Sequence, residues 1–344
     1  MWSSIQLRVL KLGISQKSSF LATPPAGLFA RWQHLLSRSR VSFCLLEMPP
    51  SPSKEDAEIF ERLMPFIRLS GGTYRTTYRG RFHNLDPVVN RLLVENFSSS
   101  DELRVEDSAA STCLTSYEWA ITLFPSFPQL HFVASDLVLF LLELQQVNSG
   151  EVFVIEPDGN PLQYIRPPFV IRMDPPEPWR LPINRLWYAY AWRRWRSIER
   201  YRDMPESWIN SMRDETLDRN GYQWRKLSLV HPDALRLARR DARFVIRRQS
   251  VFERLSAPCH VMRSMNIFNR AYFSERQLAE GARASIHNLL DGGIWILGRT
   301  IAEEPPAHDV TIFRKQPSGA LEVLQRLGAG SEIEGIALEV SRST

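Results

Sequence analysis

Glu106-Asp107 closes a short apolar run and is followed by Ser108-Ala109-Ala110-Ser111-Thr112-Cys113, a turn built only of small residues. Small side chains let the backbone approach a ligand, and the amides opening the next helix can bind its polar groups. Ala109 and Cys113 lack the freedom at positive φ that glycine would bring, so a plain tight turn is the competing reading. Asp136 closes the next apolar run, where a carboxylate can accept both hydrogen bonds of a ribose diol or simply cap a helix. Ser250-Val251-Phe252-Glu253 follows a third run, at a place where a polar group can face an adenine edge. Asn266 ends the run through Val261, where a substrate-facing group would stand and where a turn residue would serve equally well.

The elements that must carry these residues follow from the apolar pattern. From Leu103 onward, short apolar runs alternate with amphipathic segments, which predicts βα units and a mostly parallel sheet. Strands are expected at Leu103–Val105, Leu130–Ala134, Arg243–Arg247, Cys259–Met265 and Gly293–Gly298. Helices are expected at Ser116–Leu123, from Leu137 through Gln146, and at Ser274–Leu290. Val310–Arg314 and Leu321–Leu327, parted by Gln316–Gly319, read as a terminal antiparallel hairpin, with 328–344 as a tail. Ahead of this domain, 47–102 reads as a small helical lead-in, with apolar residues at helical spacing over Glu55–Ile67 and again from Val88 to Phe97.

An insertion is expected at 150–226. It opens with a hairpin turning at Asp158-Gly159, and its second half holds Trp179, Trp187, Trp192, Trp195, Trp208 and Trp224 among many arginines. With Asn184 as N-cap, Arg185–Arg202 reads as a helix with one broad apolar face. Such an aromatic stripe packs a core, covers a substrate as a lid, or stacks on bases while arginines meet phosphates.

Composition bounds the rest. Hydrophobic residues make up 44% of the 344 and charged residues 24%, which is ordinary globular usage. The net charge is +5, but only Lys11, Lys17, Lys54, Lys226 and Lys315 among the 43 basic residues are lysine, so nucleic acid is a possible rather than a favoured partner. Cys44, Cys113 and Cys259 show no disulfide or zinc spacing, the seven histidines are isolated, and no metal is expected. The longest apolar run is far too short to span a membrane. Residues 1–46 contain no acidic residue. They read either as a mitochondrial leader or as an upstream extension of a cytoplasmic protein, outside the fold in both cases.

One resemblance reaches further. Val261-Met262-Arg263-Ser264-Met265-Asn266-Ile267-Phe268, Tyr272-Phe273-Ser274, Leu289-Leu290-Asp291-Gly292-Gly293 and Leu297-Gly298-Arg299 resemble the later motifs of the class I, Rossmann-like S-adenosylmethionine-dependent methyltransferases. More narrowly, they are similar to the chemotaxis-receptor glutamate methyltransferases, which carry Cys-Arg-Asn-Val, Tyr-Phe and Pro-Gly-Gly at the matching points and a long insertion between the second and third strands. The resemblance spans Leu103 to Arg299 and implies S-adenosylmethionine as cofactor. It implies the methionine moiety beside Asp107, Ala109, Ser111 and Cys113, the ribose on Asp136, the adenine near Ser250 and Val251, and methyl transfer near Asn266 and Tyr272. Ala109 and Cys113 stand where that family has glycine, and Met265 where it has arginine. The acceptor it implies is a small molecule or a protein side chain. A catalytically inactive binding or scaffold protein and an RNA methyltransferase are the alternatives.

Overall fold

The computed structural model describes residues 41–72, 74–167, 169–173, 182–198, 216–219 and 221–343. The chain divides into two compact units at Thr76/Thr77, Leu137/Val138 and Pro232/Asp233. One unit, here the antiparallel unit, combines the residues up to Thr76 with Val138–Pro232; the other, the parallel unit, combines Thr77–Leu137 with Asp233 onward. This partition differs from a 47–102 lead-in and a 150–226 insertion: the lead-in is shared between the units, and the excursion begins after Leu137, one residue beyond Asp136. No described helix is long and apolar enough to cross a membrane.

The antiparallel unit starts with a 3-10 turn at Phe43–Leu46. Helix α1 (Lys54–Leu63) follows, opened by a capping box in which Ser53 Oγ accepts the Asp56 N–H and the Asp56 carboxylate accepts the Ser53 N–H. Val41, Phe43, Leu45 and Leu46 are buried with Ile59, Phe60, Val154 and Ile165. The Gln163 carboxamide accepts from the Phe43 N–H and donates to the Val41 carbonyl, both at 2.8 Å. Residues 41–46 therefore belong to the fold, a correction to their exclusion with the leader: this part of the acid-free stretch is uncharged because it is core.

In the parallel unit, α2 (Asp86–Asn96) leads to β1 (Arg104–Ser108), α3 (Leu114–Leu123) and β2 (His131–Asp136). The chain then returns to the antiparallel unit for β3 (Phe140–Gln146), where the sequence suggested a helix. Its run Phe-Leu-Leu-Glu-Leu is buried on both faces, and a short continuous apolar run does not distinguish strand from helix by periodicity. Pairing with strands on both sides decides it. Next come β4 (Val152–Ile155) and β5 (Pro161–Arg166), the expected hairpin, with Gly159 at φ 93° in its turn. β6 (Phe169–Arg172), α4 (Pro182–Ile198), β7 (Leu217–Arg219) and β8 (Tyr222–Ser228) complete the unit as an antiparallel sheet in the order β6-β5-β4-β3-β8-β7. Trp179, Trp208, Arg180, Arg200 and Arg202 lie outside the described residues.

The parallel unit resumes with α5 (Pro232–Arg240), β9 (Phe244–Arg248), β10 (Cys259–Met265), α6 (Glu275–His287), β11 (Leu289–Glu303), β12 (Pro306–Lys315), β13 (Leu321–Leu327) and α7 (Glu334–Arg342). Its sheet runs β9-β2-β1-β10-β11-β12-β13, the first five strands parallel and the last two forming the expected antiparallel hairpin. The parallel strands follow the order 3-2-1-4-5 of doubly wound folds, so the fold class is α/β and Rossmann-like. Ile333, Ala337 and Val340 pack with Leu278, Ala282 and Ile286 of α6. The residues after 328 are therefore a packed helix and not a tail, because α7 covers apolar side chains that the hairpin and α6 leave open.

Candidate functional site

In a doubly wound sheet, the strand order reverses between β1 and β10, and ligands sit at the carboxyl ends there. The turn after β1 occupies that place. Ala109, Ser111 and Cys113 have φ of 56°, 54° and 58°, so every second residue of the turn is left-handed. The turn is fastened to the end of β2: the Ser111 N–H donates to Asp136 Oδ2 at 2.8 Å, and the Ala110 N–H donates to the Ser135 carbonyl at 2.9 Å. Cys113 is fully buried and opens α3 with no side-chain cap, so its thiol points into protein, not into ligand space. Four of the sequence candidates, Ala109, Ser111, Cys113 and Asp136, are thus brought together.

A left-handed L-residue costs about 1–2 kcal/mol against the right-handed form. Glycine returns about 0.4–1 kcal/mol of that through its freer unfolded chain. The double variant Ala109→Gly/Ser111→Gly is expected to gain roughly 1 kcal/mol in urea unfolding. Cys113→Gly is expected to lose stability instead, because it empties a site with no exposure.

Asp107 stands elsewhere. Strand alternation turns it toward α3, where it is 3% exposed and accepts from Ser116 Oγ at 2.5 Å and from Arg263 Nε and Nη2 at 2.8 and 2.5 Å. Arg263, itself fully buried, also donates to Asp86 Oδ1 at 2.9 Å and lies 4.2 Å from the centre of the Trp119 ring. Burial pushes the Asp86 carboxyl up to about 7, with the Arg263 guanidinium opposing the rise and the charge of Asp107 adding to it. Burial and the second carboxylate beside one cation thus make Asp86 take up a proton more readily than an ordinary aspartate.

Glu106, adjacent in β1, faces the other side of the sheet. Its carboxylate accepts from Ser135 Oγ and from Arg247 Nη2 at 3.0 Å, and burial pushes it up to about 7 against both partners. It shares a cavity of about 10 Å3 with Ser108, Ser135, Ser250, Val251 and Ser285. That volume holds roughly one water molecule. Ser250 and Val251 therefore reach the same end of the sheet as the turn but line a nearly closed space.

Asn266 leaves β10 at φ 62° and spends its side chain on the neighbouring strand. Its Oδ1 accepts the Thr300 N–H at 2.7 Å, while Thr300 Oγ1 accepts from Arg81 Nε at 3.1 Å. Tyr272 is 53% exposed. Sequence reasoning assigned no role to Arg263, Asp86 or Glu106. Charged residues inside apolar strands were the available signal, since a buried charge requires a partner.

No protein-family profile and no curated protein matches the chain. Solved structures do: an S-adenosylmethionine-dependent methyltransferase from Clostridium acetobutylicum (11% identity, 76% of this chain and 80% of that one, TM-score 0.30) and the sugar N-methyltransferase KedS8 from Streptoalloteichus (14%, 76% and 80%, 0.28). Another is the O-methyltransferase NcsB1 of neocarzinostatin biosynthesis, solved with S-adenosyl-L-homocysteine and 1,4-dihydroxy-2-naphthoic acid (10%, 64% and 41%, 0.24). Alignments this loose leave the fold resting on its own strand order and the function on the site.

Proposed function

We propose that the parallel unit binds S-adenosylmethionine at the turn after β1 and transfers its methyl group to a small molecule or a protein side chain. The observation that carries this reading is the alternating left-handed turn at Ala109, Ser111 and Cys113, fastened to Asp136 at the strand-order switch. The small side chains of this turn leave little between its backbone and a ligand, and the uncapped start of α3 adds donors suited to a carboxylate. Asp136, where β2 ends, supplies the acceptor a ribose diol needs. The bound cofactor would contribute an activated methyl group. The chain's own residues orient it and exclude water, which is the main protein contribution to an in-line transfer.

Asp107, with its oxygens committed to Arg263 and Ser116, takes no part in holding the methionine end. The adenine side requires the loop at 249–255 to open the space beside Ser250 and Val251. These two features favour a second reading, a fold kept as a binding or scaffold module without methyl transfer. Thermal unfolding of the full chain with S-adenosylmethionine distinguishes them. A ligand at 100 times its Kd stabilises by about 2.7 kcal/mol. The midpoint is expected to rise with cofactor concentration, and Asp136→Asn, which keeps an acceptor for Ser111, is expected to weaken binding about tenfold. An unchanged midpoint at millimolar cofactor would leave only the scaffold reading.

A further inference from the structure

Between β9 and β10 the chain passes over β2 and β1, and residues 249–258 make the passage without a helix. Parallel crossovers usually take a dozen or more residues and a helix, so this face of the sheet is thinly covered. Hydroxyl groups lie beneath the cover. Ser264, Ser108 and Ser135 stand side by side across β10, β1 and β2, with Ser108 Oγ 2.8 Å from Ser264 Oγ. Glu106, two residues before Ser108 and on the same face, is the buried carboxyl among them. Ser250 and Val251 from the cover, with Ser285 and Asn288 from the end of α6, close the space.

The cover is fastened largely to itself. The Ser250 N–H and the Gln249 carboxamide both donate to Glu253 Oε2 at 3.1 Å, and the Glu253 N–H donates to the Ser250 carbonyl at 3.1 Å. Outward, among the described residues, 249–255 bonds at its start to the body of the sheet, through the Gln249 N–H and the Asp136 carbonyl at 3.1 Å. Near its far end it bonds to Asn288, whose Oδ1 accepts the Leu255 N–H at 2.9 Å and whose Nδ2 donates to the Glu253 carbonyl at 3.0 Å. Asn288 caps α6, so one side chain ties the segment to the helix. Phe252 adds an edge-to-face contact with Phe273, ring centres 5.3 Å apart.

We propose that 249–255 is a lid over this hydroxyl-lined space, latched by Asn288 and opened as Glu106 gives up its proton. With the lid shut, burial holds the Glu106 carboxyl at about 7 against the pull of Ser135 and Arg247. The charged and titratable groups around it are Arg247 from β9, Asp107 from its own strand and the Cys259 thiol from β10. The end of α6 and the lid line the space with Ser285, Asn288, Gln249, Ser250, Val251 and Leu255, none of which titrates. Opening admits water and returns the carboxyl toward its ordinary 4.5. The shut form therefore holds a proton that the open form releases, so raising the pH from 5 to 7 favours opening. Above about 7 both forms are ionised and the balance levels off. The lid is independent of what enters the space; that the entrant is the adenine end of the methyl donor rests on the reading above.

The test is hydrogen exchange of the full chain, read by mass spectrometry from pH 5 to 8, with each rate divided by its intrinsic value. The peptide over β10 serves as the reference for unfolding of the whole unit. Opening of 249–255 is expected to rise about thirtyfold from pH 5 to 7 and then level off, while β10 stays better protected throughout. Glu106→Gln, which still offers Ser135 an acceptor, is expected to remove the rise. Asn288→Ala is expected to increase opening about tenfold at every pH and to leave the rise in place. The affinity for S-adenosylmethionine is expected to climb with pH as opening does. If the cofactor binds at no pH, the methyl-donor reading falls and exchange alone decides the lid. Exchange of 249–255 that follows β10 at each pH, a rise that survives Glu106→Gln, or an Asn288→Ala chain that opens no more than the parent overturns the proposal.

Discussion

Arg263→Met is expected to destabilise the chain by about 3–5 kcal/mol at pH 8, measured by urea unfolding. The guanidinium is fully buried and binds two carboxylates, Asp107 from β1 and Asp86 from the first turn of α2. Methionine fills much of the volume, so the loss arises from leaving those carboxylates in the interior without a cation. The effect must therefore shrink at pH 5, where Asp86 holds a proton and a single carboxylate is left without its cation. Arg263→Met/Asp107→Asn/Asp86→Asn is expected to recover most of the lost stability, since neutral partners need no counter-charge. A single variant equally destabilised at both pH values would show that shape, not charge, holds this part of the sheet.

The second large effect is a fall in stability as pH rises. Glu106 and Asp86 are carboxyls pushed up from 4.5 and 3.8 to about 7 in the folded chain. Between those limits the folded chain keeps protons that the unfolded chain has released, so raising the pH favours unfolding. Stability is then highest near the acid end of the window, declines toward pH 7, and levels off once both groups are ionised. At about 1.4 kcal/mol per pKa unit, the rise from 4.5 to about 7 makes Glu106 alone account for roughly 3 kcal/mol. Glu106→Gln preserves an acceptor for Ser135 and should remove that share of the slope. Urea midpoints measured from pH 5 to 8 decide the matter: stability rising over this range would contradict both assignments.

These two acidic residues also show where sequence reading reaches its limit. That Glu106-Asp107 stands near the end of β1 and Asp136 at the end of β2 was legible, because apolar runs bounded by polar residues mark strands, and strand order places their ends at the switch. Neighbouring strand residues face opposite sides, which puts Glu106 and Asp107 in different environments. What the sequence does not print is the partner: Arg263 is 156 residues from Asp107, on a strand whose register is set by the folded sheet. The local conformation at Ala109 and Cys113 was equally hidden, since neither residue type favours positive φ, and tertiary pairing with β2 imposes it. The misread helix at Leu137–Gln146 has a related cause, as its two apolar faces acquire meaning only beside β4 and β8.

The chain passes between the two units at three points, so neither is a contiguous stretch of polypeptide. A gene fragment cut at any single position encodes one unit only in part, which makes truncation a poor route to an isolated site. On the ribosome, residues 41–76 must wait for β3 to emerge, and the edge position beside β2 stays vacant until the whole excursion has been synthesised. Excising the excursion and rejoining Leu137 to Asp233 with a short linker is the direct way to learn whether the parallel unit stands alone.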